Sequence, residues 1–70
     1  MLERFLEPGD VFIDVGANIG YYSLLASGLV GRAGRVFSIE AHPAIHTQLL
    51  RNVQMAPTNN ISAIHAAAAE

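Results

Sequence analysis

The chain has 70 residues and contains no cysteine, no lysine and no tryptophan. Without cysteine, neither a disulfide framework nor a cysteine zinc site can staple it, although chains this short usually need such help. Charge is also scarce, at 14% of residues against 51% apolar. That is the composition of a core with too few charges to cover it, and it excludes disorder. All four basic residues are arginine (Arg4, Arg32, Arg35, Arg51), and they are scattered. With no basic stripe, nucleic acid is not an expected partner. No apolar run reaches the ~18 residues of a membrane span. The start mixes Glu3, Arg4 and Glu7 among apolar residues, unlike a signal peptide. Neither a membrane partner nor export is expected, and the expected location is cytoplasmic. A chain this short buries only roughly 60% of its unfolded surface. It is therefore expected to be oligomeric or part of something larger.

What is present reads as alternating elements. Leu2, Phe5 and Leu6 share one helical face, so a short helix is predicted over about 1–7, stopped by Pro8-Gly9. Val11–Val15 is β-branched and apolar at odd and even positions, the pattern of a strand buried on both faces. A helix is predicted from Tyr21 to roughly Ser27, with Tyr21, Leu24, Leu25 and Leu29 as its apolar stripe and Gly28 and Gly31 as its stop. One of Tyr21 and Tyr22 is expected in the core and the other at a pocket edge. Arg35–Glu40 is the second strand. Pro43 opens a helix over about 43–55, carried by Ile45, Leu49 and Val53. Ile61–His65 is a third strand. The order predicts an α/β, Rossmann-like three-layer sandwich with a parallel sheet. Only its first β-α-β-α-β half, in strand order 3-2-1, is expected within 70 residues.

The turn after the first strand carries most of the chemistry. Asp14 ends a buried strand, and Gly16-Ala17-Asn18-Ile19-Gly20 leads into a helix. In open α/β sheets ligands sit beyond the carboxyl ends of the strands. Gly16 lets backbone approach a ligand, Asn18 tolerates a left-handed conformation, and Gly20 lets the helix pack on the strand. A phosphate-binding P-loop needs a lysine, which is absent, and the Gly-x-Asn-x-Gly spacing does not match a dinucleotide cradle. An aspartate at the strand end suits a ligand with a positive amine. Glu40, twenty residues after Gly20, closes the neighbouring strand. A carboxylate there can accept both hydroxyls of a ribose. An amine at one end and a ribose at the other describe S-adenosyl-L-methionine.

With these residues in place the chain resembles class I S-adenosylmethionine-dependent methyltransferases. More narrowly, Val11–Ser23, Gly34-Arg35-Val36, Glu40-x-His42-Pro43 and Leu49–Val53 are similar to the FkbM family. The resemblance covers about Pro8 to Glu70. It implies a cofactor-binding region over about 10–66 of a partial methyltransferase domain spanning 1–70, with the rest of the domain after Glu70. By the same resemblance Gly16, Ala17, Asn18 and Gly20 wrap the methionine part, Asp14 contacts its amine and Glu40 holds the ribose. The family's adenine contacts fall near Ala66 and Glu70. The chain departs from the family at Ala41, where proline is usual.

The implied activity is methyl transfer of the EC 2.1.1 type, to the oxygen of a hydroxylated small molecule or sugar. No residue is assigned as catalytic base, although His42 stands near the ligand mouth. His42 and His46 have the i, i+4 spacing of metal ligands, but no carboxylate completes a set and no metal is expected. Two alternatives stay open: a dinucleotide-binding module of NAD type, and a structural fragment without activity.

Overall fold

The computed structural model describes residues 6–66. The elements run β1 (Val11–Val15), α1 (Tyr21–Val30), β2 (Arg35–Glu40), α2 (Pro43–Gln54) and β3 (Ile61–His65). The strands form one parallel sheet in the order β1-β2-β3, as expected from the alternation. Of the helix predicted over about 1–7, residues 1–5 lie outside the described residues, and Leu6 and Glu7 are not helical. Leu6 instead packs against the core beside Phe12. No helix of the described residues is long and apolar enough to cross a membrane.

Register explains the layering. Phe12, Asp14, Val36, Ser38, Glu40, Ile61, Ala63 and His65 lie on one face, since Asp14 pairs with Ser38 and Glu40 with His65. Both helices pack on that face. α1 brings Ala26 and Val30 onto Phe12 and Val36, and α2 brings Leu49 and Val53 onto Ile61 and Ala63. The opposite face is bare among the described residues. Val11, Ile13 and Val15 are each 59% exposed. The reading of β1 as buried on both faces is thus met on one face only, because both crossover helices lie on the same side.

α1 differs from its predicted form in length and in orientation. It runs through Gly28 to Val30, and Gly31 ends it at φ +68° with its N–H donated to Ser27 O. Its buried face is Ser23, Ala26, Ser27 and Val30. Most of the predicted stripe points away, with Tyr21 69% exposed and Leu24 and Leu25 at 37% and 39%, while Leu29 is half-buried. Small side chains let α1 sit close to the sheet, and the two serines find buried hydrogen-bond partners there. Tyr21 and Tyr22 pack edge to face with ring centroids 5.2 Å apart, and both are exposed, so neither joins the core.

α2 follows the reading more closely. Pro43 occupies its first turn and His42 caps it, the imidazole Nδ1 accepting the Ile45 N–H at 3.4 Å. The entry to β3 is clipped to the end of α1 by Asn60, which is 2% exposed. Its Oδ1 accepts from Ser27 Oγ at 2.5 Å and Thr58 Oγ1 at 2.9 Å. Its Nδ2 donates to Ser27 O at 3.2 Å and Gly31 O at 2.7 Å. Removing this amide strands several buried polar groups at once. Asn60→Ala is therefore expected to cost about 2–3 kcal/mol, read as a lower urea midpoint at unchanged slope in the natural full-length polypeptide.

Candidate functional site

The loop between β1 and α1 is held at nearly every residue. Gly16 and Ala17 both donate their N–H to Ile39 O, at 2.8 and 3.0 Å, which fastens the loop to β2. Ala17 is buried beside Leu49 and Val53. Asn18 adopts the left-handed conformation at φ +57°, as its residue type allows. Ile19 O accepts the Asn52 side-chain amide at 2.7 Å, so α2 supports the loop from outside. Gly20 caps α1 at φ +100°. A Cβ at Gly20 would stand 2.9 Å from Leu49 Cδ1. The expected close packing at Gly20 is therefore real, but its partner is α2. At Gly16, with φ +70°, a Cβ would meet nothing within 4 Å. That open side is where a ligand can lie against bare backbone.

Glu40 faces this loop from the end of β2. Its Oε1 accepts the Asn18 N–H at 2.7 Å and its Oε2 accepts the His42 N–H at 3.1 Å. The carboxyl is held below its ordinary value of 4.5, first by the His42 N–H and next by the Asn18 N–H, while burial opposes them. An ionised carboxylate has about four acceptor positions, so about two stay open for a diol. The turn beyond Glu40 is pinned as well. Ala66 N–H donates to Glu40 O at 3.2 Å, and His65 Nε2 lies 3.0 Å from Ala41 O, to which it must donate because a carbonyl only accepts. This bond steadies the turn after Glu40.

Asp14 sits at the end of β1, with Oδ2 accepting from Ser23 Oγ at 2.7 Å. Ser23 Oγ in turn lies 2.6 Å from Ser38 Oγ. Neither serine stood out in the sequence. Their signal was positional: Ser38 shares a strand face with Glu40 and pairs with Asp14 in register.

The structure thus gathers Asp14, Gly16, Ala17, Asn18, Gly20 and Glu40 around the carboxyl ends of β1 and β2. His42 and His46 do not act together: His42 caps α2, and His46 stacks on His65 with ring centroids 5.1 Å apart. Ala66 lies next to Glu40, whereas Glu70 is outside the described residues. The donor set fits S-adenosylmethionine, offering two carboxylates and a glycine turn at a helix N-terminus.

Solved structures give the class. The chain is similar to an S-adenosylmethionine-dependent methyltransferase of Aquifex aeolicus, with TM-score 0.85 and 26% identity over 93% of this chain and 35% of that one. It is similar to fibrillarin of Aeropyrum pernix, solved with natively bound S-adenosyl-L-methionine, with TM-score 0.79 and 26% identity over 87% of this chain and 26% of that one. The fold is that of an S-adenosylmethionine-dependent methyltransferase, with S-adenosylmethionine as cofactor. The sequence narrows this further. The family model "Protein-L-isoaspartate(D-aspartate) O-methyltransferase (PCMT)" matches residues 1–69. The protein-L-isoaspartate O-methyltransferase of Methanothrix thermoacetophila is 34% identical over 59 residues, or 84% of this chain and 28% of that protein. The chain therefore belongs to the protein-L-isoaspartate O-methyltransferase family and spans under a third of that relative's length. The narrower resemblance to FkbM is corrected by this match.

Glu40 generates a pH prediction. Its folded value lies below its unfolded one, so its contribution is fully present above about pH 4.5. It is lost as pH falls through the lower folded value. Urea midpoints measured from pH 6 downward in the natural full-length polypeptide should fall less steeply in Glu40→Gln than in the wild type. Parallel curves would show that these N–H contacts do not hold the carboxylate.

Proposed function

We propose that this chain is the cofactor-holding part of an enzyme that methylates the carboxyl oxygen of isoaspartyl residues in proteins. The observation that carries the cofactor side is the Glu40 carboxylate bridging Asn18 and His42 with acceptor positions to spare. The acceptor side rests on the family match over residues 1–69. That match supports a protein acceptor in place of the small hydroxylated molecule or sugar expected from the sequence. It also disfavours the NAD-type module, whose glycine spacing the loop lacks. The bare apolar face of the sheet fits a region that belongs to a larger domain.

In this reading Glu40 accepts the two ribose hydroxyls, Asp14 faces the amine, and Gly16–Gly20 lies along the methionine part. Bound S-adenosylmethionine supplies a methyl group made electrophilic by its sulfonium. The chain's own work is binding and orientation, which hold the methyl in line with the acceptor. An acceptor carboxylate is already ionised at neutral pH, so its attack forms the C–O bond as the C–S bond breaks and needs no base from the protein. His42 can then serve wholly as a helix cap.

The test uses the natural full-length polypeptide, S-adenosylmethionine labelled on the methyl, and matched peptides carrying isoaspartate or aspartate. Label should enter only the isoaspartyl peptide and be released as methanol by mild base. Transfer to a sugar or polyol with none to the isoaspartyl peptide would sink the reading. In the same protein Glu40→Gln should weaken cofactor binding by about tenfold in calorimetry, as expected for the loss of a charged hydrogen-bond acceptor.

A further inference from the structure

Two serines lie sealed in the layer between α1 and the sheet. Ser23 and Ser38 are both 0% exposed. A buried hydroxyl costs free energy unless it is hydrogen-bonded, and an apolar residue would fill either place without that cost. Their bonding has only one consistent direction. The Asp14 carboxylate can only accept, so Ser23 must donate its single proton to Asp14 Oδ2, at 2.7 Å. Ser23 Oγ then has only lone pairs to offer, so Ser38 is the donor across the 2.6 Å contact between the two hydroxyls. The result is a directed chain from Ser38 through Ser23 to Asp14. Each bond in such a chain polarises the next.

An aspartate carboxylate turns about a broad, roughly two-fold torsion. Fixing Oδ2 from below fixes the plane of the whole group. Oδ1 takes no hydrogen bond among the described residues and is not sealed in the core. Asp14 stands one residue before the end of β1, the strand that delivers the glycine loop, and so lies at the loop's base.

We propose that Ser23 and Ser38 are positioning residues that hold the Asp14 carboxylate so that Oδ1 receives the ammonium group of the cofactor's amino-acid end. This rests on the reading of the loop as an S-adenosylmethionine site. It adds a specificity device: the relay acts on the amino-acid end of the ligand and is indifferent to the nucleoside end, which Glu40 serves.

The experiment compares two ligands in the natural full-length polypeptide by calorimetry. S-adenosylhomocysteine carries the amino-acid end, and 5′-methylthioadenosine lacks it. Ser23→Ala should weaken S-adenosylhomocysteine by about tenfold, and Ser38→Ala by about threefold, with 5′-methylthioadenosine nearly unchanged in both. Ser23→Thr, which keeps the hydroxyl, should restore most of the difference. Equal weakening of both ligands would assign the serines a merely structural role and overturn the proposal. Unchanged affinity for S-adenosylhomocysteine would overturn it as well. Failure of the wild type to bind either ligand would instead remove the cofactor reading, and the relay with it.

Discussion

The Glu40 carboxylate ties the end of β2 to a loop 22 residues away and to the start of the helix that follows. It ends β2, accepts from the loop after β1 through Asn18, and accepts from the first residues of the α2 entry through His42. At the left-handed step of the loop, the Asn18 amide finds its partner in Oε1. At the start of α2, the capping residue His42 is held by Oε2. A single ionised group therefore links the glycine loop to the entry of α2. Because a carboxylate has more acceptor positions than these two amides use, the same group can organise the chain and still meet a ligand. Preorganisation of this kind removes part of the ordering cost from binding.

Much of this was legible from residue type and spacing. The five elements follow from β-branched runs, from Pro43 and from glycine at Gly31. The left-handed step at Asn18 and the special role of Gly20 follow from what those residues tolerate. What spacing does not reveal is the choice between two competing faces. α1 has an apolar stripe at helical period, yet it buries Ser23, Ala26, Ser27 and Val30. The sheet beneath it offers Asp14 and Ser38, and Asn60 waits beyond, so buried hydroxyls on α1 are satisfied where leucines would leave polar groups orphaned. That decision is tertiary, and hydrophobic period alone counts it the wrong way. The Ser38–Ser23–Asp14 relay was hidden for the same reason, since it exists only once β1 and β2 are in register.

The shortage of charge noted in the sequence has a definite place in the structure. Val11, Ile13 and Val15 stand uncovered along β1, with Phe37, Ile39 and Ile64 across the same face only partly shielded or exposed. The covered face holds the carboxylates, the serines and the glycine contacts. The two faces thus divide the labour: one carries the site under its helices, and the other carries apolar surface of the kind buried in three-layer α/β folds.

The relation between the FkbM and isoaspartate methyltransferase readings follows from the same division. In the proposed reading an acid near the end of β1, glycines in the turn and an acid at the end of β2 answer to the cofactor: amine, close backbone approach and ribose. Any acceptor served by that cofactor is compatible with them, so this motif cannot separate a sugar hydroxyl from a protein carboxylate. The histidines carry more information. A hydroxyl acceptor needs a base to take its proton, whereas a carboxylate acceptor does not. Here His42 is engaged as a helix cap, His65 as a donor to Ala41 O and His46 in a stack on His65. All three serve the scaffold around Glu40. A reaction whose acceptor arrives already ionised leaves them free to do so, and places the burden of catalysis on orientation.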